Sequence, residues 1–131
     1  MQSQSFKKDQ RLSSQKIIDQ LFTKGQRFLL FPFLIVWLPV ELNANSPVQV
    51  LISVSKKKFK KAVDRNLAKR RIREAYRKNN GHLLEFMDQK QNQLALGIIY
   101  TGVEILAYKE IEKKILLVLQ RLQMEYEKTV R

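Results

Sequence analysis

The sequence predicts an α+β fold, an α/β sandwich in which a single small sheet packs on helices in the order α-β-β-β-α-β-α. Three observations carry this reading. Apolar residues recur at helical spacing near both ends of the chain, first at 17, 18, 21 and 22 and again from 111 to 126. Between these ends lie runs of strand length, rich in branched and aromatic residues. A stretch without Gly or Pro, dominated by Ala, Leu, Lys and Arg, separates the third run from the fourth. A length of 131 residues suits one domain, and 44% hydrophobic residues suffice for one core. Residues 1–10 are expected to form a flexible polar arm and 11–131 a single domain.

Taken in order, Ser13 or Ser14 can cap the first helix, with Leu12 placed to staple onto Ile17. Ile17, Ile18, Leu21 and Phe22 form its apolar stripe and Gly25 stops it. A short strand is expected near 27–31 and a longer one at 33–40, with Pro32 marking an edge or a bulge. The turn at 43–47, NANSP, leads into VQVLISVS at 48–55, whose alternation fits a half-buried strand. These two strands read as an antiparallel hairpin. After the basic stretch, Asn79, Asn80 and Gly81 read as a helix stop, and 82–93 as a frayed helical turn and loop. LALGIIY at 94–100 is a continuous apolar run, expected to be a strand buried on both faces. The last helix, about 107–127, carries Ile111, Ile115, Val118, Leu119, Leu122 and Tyr126 at helical spacing.

The charge is concentrated in one place. Between 56 and 78 stand twelve Lys and Arg against two acids, Asp64 and Glu74, so this stretch holds ten of the thirteen net positive charges. Projected at about 100° per residue, Arg65, Asn66, Lys69, Arg70, Arg73, Tyr76 and Arg77 share a sector roughly 140° wide. Ala68, Ile72 and Ala75 lie beside it as the face a sheet would bury, and Arg71 falls outside. Like charges on one helical face repel by a few tenths of a kcal/mol per i,i+4 pair, roughly, and a polyanion relieves that cost. Arg forks match phosphate geometry, and an Asn among them can donate and accept at a base edge or sugar. A nucleic-acid interface is therefore favoured over a merely solubilising face. An exposed sector of this kind would be replaceable at little cost to the fold.

The order of residues here, SVSKK, then AV, then R-N-x-x-K-R-x-x-R-E at Arg65, Asn66, Lys69, Arg70, Arg73 and Glu74, resembles the signature of the bacterial ribonuclease P protein subunit. The resemblance spans about 11–125. It includes Arg11 and Leu12 ahead of the first helix, and the order of strands and helices that follows. One departure is plain: the family places a Gly shortly after the SVSKK lysines, where this chain has Lys58-Phe59-Lys60-Lys61 and one residue more. The resemblance implies a left-handed crossover joining two parallel strands through the basic helix, although such connections are right-handed in about 98% of cases. It also implies that Arg65, Asn66, Lys69, Arg70 and Arg73 meet the phosphates of a catalytic RNA subunit. A cleft for the 5′ leader of precursor tRNA would be lined by Ile18, Phe22, Phe33 and Val36, with Ser55, Lys56 and Lys57 nearby. The implied partners are ribonuclease P RNA and precursor tRNA, with the protein a monomer in the ribonucleoprotein. No cofactor is expected in the polypeptide, and magnesium ions are expected with the RNA.

The residues themselves offer no hydrolytic constellation. The single His, His82, stands after the helix stop, and Asp64 and Glu74 point about 80° apart around the helix axis. The polypeptide is therefore expected to lack a catalytic site, serving the endonucleolytic tRNA 5′ maturation of the assembled ribonucleoprotein. Another basic RNA-binding protein, a ribosomal protein or RNA chaperone, is the alternative. A DNA-binding module fits poorly, because neither a helix-turn-helix nor a dimerisation stripe is visible. The lack of Cys excludes disulfides and thiolate metal sites and suits a reducing cytoplasm. No secretory signal is expected in 1–11, and the longest apolar run, 28–40, is broken by Pro32 and Pro39, so no membrane span is expected.

Overall fold

The protein is described by a computed structural model covering residues 8–130. The expected N-terminal arm therefore lies mostly outside the described residues, and 8–10 form a short 3-10 turn. Ser14 caps α1 (Gln15–Lys24), its hydroxyl accepting from the Ile17 N–H, and Gly25 follows as the C-cap. A Cβ at Gly25 would stand 2.3 Å from the Leu21 carbonyl, so only Gly lets the chain turn so closely from helix to strand. Three strands come next: β1 (Gln26–Leu30), β2 (Phe33–Pro39) and β3 (Val48–Val54). Then follow α2 (Ala62–Asn79), α3 (Gly81–Lys90), β4 (Leu94–Tyr100) and α4 (Tyr108–Thr129).

The sheet order is β1-β2-β4-β3. β1 and β2 form the hairpin, with Phe31 and Pro32 as its turn, so Pro32 sits between strands rather than at an edge or bulge. The expected hairpin of 33–40 with 48–55 is not formed. β4 lies between those strands, antiparallel to β2 and parallel to β3. The physical reason lies in β4 itself: six of its seven residues are buried, and only a central position covers both faces of such a run. Gln93, just before β4, fastens the long β2–β3 loop. Its side-chain amide donates to the carbonyls of Ala44 and Ser46, and its side-chain oxygen accepts from the Leu42 N–H.

A second correction concerns 82–93, which is helix over most of its length. Leu83 and Met87 are fully buried beneath Leu84 and Phe86, a helical pattern strong enough to restart the helix immediately after Asn80. Gln91, in the left-handed region at φ 56°, ends α3.

Residues 33, 35 and 37 of β2, with 94, 96, 98 and 100 of β4, face the larger core, built with α2, α3 and α4. All six apolar residues expected on the last helix are buried there. The alternate residues Val36 and Ala95 face α1, in a second, smaller core with Leu12, Ile17, Leu21 and Leu42. Leu21 lies over Gly97, where a Cβ would meet it at 3.4 Å. No helix of the described residues is long and apolar enough to cross a membrane.

Candidate nucleic-acid interface

Two surfaces are built from this frame. The first is α2, which packs on α4 and β3. Ala68, Ile72 and Ala75 are buried as expected, and so is Tyr76, which the helical projection had placed among the cations. The buried arc is thus wider than the sequence suggested, because it faces both the sheet and α4. Burial also pushes the Tyr76 phenol well above its usual pKa, so it stays neutral. Asn66 and Arg70 are exposed, while Lys69 and Arg73 are half-buried; none of the four has an ion pair or side-chain hydrogen bond among the described residues. Arg77 instead holds Glu74 at 2.6 Å, with Lys78 at 3.6 Å, and the Arg77 hydrogen bond keeps the Glu74 carboxyl below its usual pKa.

Arg65 differs from its neighbours. Its guanidinium donates to the carbonyls of Phe59 at 2.7 Å and Lys60 at 3.0 Å, fastening the chain that leads into α2. That lead-in is held together by its own contacts. The Ser55 hydroxyl accepts from the N–H groups of Lys57 and Lys58, and its carbonyl from that of Phe59. Phe59 is buried against Tyr100, with ring centroids 6.1 Å apart, and the Lys58 ammonium donates to the Thr101 carbonyl. An aromatic anchor thus fixes the entry to α2. Arg71, on the opposite flank of the buried arc, donates to the Leu106 carbonyl at 2.7 Å. Both arginines satisfy backbone carbonyls; for Arg65, a member of the basic sector, this is contrary to the expectation that the sector is replaceable at little cost to the fold. Arg65→Ala is expected to lower stability by about 1–3 kcal/mol through the loss of two hydrogen bonds from a charged donor. It should also speed amide exchange at 56–61. An unchanged melting midpoint with unchanged exchange would refute the clamp.

The second surface is the α1 face of the sheet. Ile18 and Phe22 are half-buried on α1, and Leu34, Leu51 and Ile99 are half-buried on the same sheet face. Register aligns Leu34, Ile99 and Ser53 in one row across β2, β4 and β3, next to the end where Ser55 and the exposed Lys56 and Lys57 emerge. Val36 lies on this face but is fully buried, so it underlies the surface without being presented. Phe33 is not on this face at all. It points into the larger core and meets Tyr100 edge-on at 5.7 Å, because residues 33 and 36 differ in parity along one strand. Leu34, Leu51 and Ile99 were missed by sequence reasoning, although the two-residue period starting from Val36 points to Leu34.

Unpaired cations along one helix, beside a half-open apolar sheet face, define an RNA-binding α+β protein. Comparison with known proteins agrees. The family model Ribonuclease P matches residues 6–123. The ribonuclease P protein component of Petrotoga mobilis is 32% identical over 128 residues, covering 94% of this chain and 99% of the relative. That of Streptococcus pneumoniae is 36% identical over 114 residues, covering 87% and 85%. The structure of the Staphylococcus aureus RNase P protein superposes with a TM-score of 0.69 at 22% identity, covering 86% and 94%, which supports the fold. The chain belongs to the ribonuclease P protein family. Its role is that of a protein component of ribonuclease P, in tRNA 5′ maturation.

Proposed function

We propose that this polypeptide is the non-catalytic partner in the ribonucleoprotein, with α2 docking on ribonuclease P RNA and the α1 face of the sheet holding the precursor leader. The observation that carries this is the run of unpaired Asn66, Lys69, Arg70 and Arg73 along α2. Arg65 joins it chiefly by shaping the basic lead-in. On the other surface, Phe22 and Ile18 face Leu34, Leu51 and Ile99, which suits unpaired bases, while Lys56 and Lys57 suit the adjoining phosphates. Val36 supports this surface from beneath, and Phe33 serves the core.

Hydrolysis falls to the RNA in this reading, with magnesium ions bound there. The one His, His82, is exposed in the first turn of α3, and no group of three or more His, Cys, Asp or Glu among the described residues could hold a metal ion. The protein would act as a monomer in the cytoplasm, lowering RNA–RNA repulsion with its net charge of +13. The test combines purified protein, a bacterial ribonuclease P RNA and precursor tRNA at low magnesium. Stimulated 5′ cleavage, with none by the protein alone, is the expected result. Cleavage by protein free of RNA, or no stimulation, overturns the reading.

A further inference from the structure

The cationic face of α2 does not end at the helix. Between α2 and the outer edge of β3 runs a groove of about 160 Å³ whose rim carries three cations, Lys69 and Arg73 from α2 and Arg11 from the opposite side. Leu12, Val50, Leu51 and Ile52 form its floor, and no acid lines it among the described residues. Arg11 is far from α2 in sequence, yet its backbone is fixed. It bridges Val50 in parallel fashion, the Leu12 N–H donates to the Val50 carbonyl at 3.0 Å, and Leu12 is buried. Gln49 adds a hydrogen bond to the Asp9 carbonyl at 3.1 Å. None of the three cations has an ion pair or side-chain hydrogen bond among the described residues.

Three unneutralised cations around one apolar-floored groove repel each other until an anion enters. The volume corresponds to about five water molecules at roughly 30 Å³ each, room for a phosphate and the adjoining edge of a sugar. We propose that this groove binds one phosphodiester unit of RNA, with Arg11, Lys69 and Arg73 around the phosphate and the ribose against Leu12 and Leu51. Arg11 thereby becomes an RNA-binding residue of the α2 face. The inference rests on the RNA-binding role proposed above and adds to it a pocket with a third wall.

Two RNAs could supply the phosphodiester, the catalytic RNA or the precursor leader, and separate binding measurements distinguish them. The first follows binding of the protein to ribonuclease P RNA alone. The second follows binding of precursor and of mature tRNA to the assembled holoenzyme. Arg11→Ala is expected to weaken one of these steps about tenfold. The slope of log affinity against log salt should flatten by about 0.7–0.9 in that same step. Loss with RNA alone assigns the unit to the catalytic RNA, and loss confined to precursor tRNA assigns it to the leader. Arg11→Ala combined with Arg73→Ala should cost less than the sum of the single changes, because both serve one phosphate. Combined with Arg70→Ala it should be additive. Arg11→Gln, which keeps most of the stem, replaces Arg11→Ala if the latter lowers the melting temperature. Unaltered affinity and slope in every arm, or strict additivity with Arg73→Ala, overturns the pocket. Failure of the wild-type protein to stimulate cleavage would instead remove the functional reading beneath it.

Discussion

Replacing Arg70 and Arg73 together by alanine is expected to reduce affinity for ribonuclease P RNA by roughly two to four orders of magnitude, as two charge-assisted contacts at about 1.5–3 kcal/mol each would require. The slope of log affinity against log salt should flatten by roughly 1.5. The fold should be unaffected, because neither side chain has an ion pair or side-chain hydrogen bond among the described residues, and removing like charge from a helical face relieves repulsion. Arg71→Ala provides the contrast. That side chain is spent on the Leu106 carbonyl, so its loss should lower the melting temperature and leave the salt slope nearly unchanged. Titrations at several salt concentrations, paired with thermal melts, measure both. If Arg71→Ala flattened the slope as much as the double change, the assignment of faces on α2 would be wrong.

Phe22→Ala is expected to weaken holoenzyme binding of precursor tRNA by about 1–3 kcal/mol, the worth of one stacked base. Binding of mature tRNA, which has no leader, should hardly change. Phe22 is half-buried, whereas its neighbour Leu21 is fully buried over Gly97. Leu21→Ala should therefore cost about 2–5 kcal/mol of stability, a cavity effect that does not distinguish the two tRNAs. Parallel binding curves for precursor and mature tRNA separate the roles. Equal losses for both tRNAs on changing Phe22 would reduce it to a packing residue.

The elements themselves were legible because each carries its own period. The stripe of α4, the alternation of β3 and the unbroken apolar run of β4 all predict their structures from spacing alone. So did the basic face of α2, since four of its residues, Asn66, Lys69, Arg70 and Arg73, need only helical geometry to lie together. The helix at 81–90 was masked by a local stop signal at Asn79-Asn80-Gly81. Burial of Leu83 and Met87 against the core outweighs that signal, as tertiary packing commonly outweighs propensity.

The sequence by itself determined the charge on one helix, the residues able to be core and the strand segments available for a sheet. Strand partners were decided only by tertiary structure. β4 takes the place beside β2 because its apolar run needs cover on both faces, and a local reading of 33–55 cannot know that a later segment will intervene. The same limit explains Phe33, Arg65 and Arg11. Which sheet face is left partly open depends on where α1 lands, which carbonyls need a donor depends on how the loop before α2 closes, and Arg11 meets α2 only through the β3 edge. These are long-range contacts between segments whose spacing in sequence carries no period, so no pattern along the chain records them.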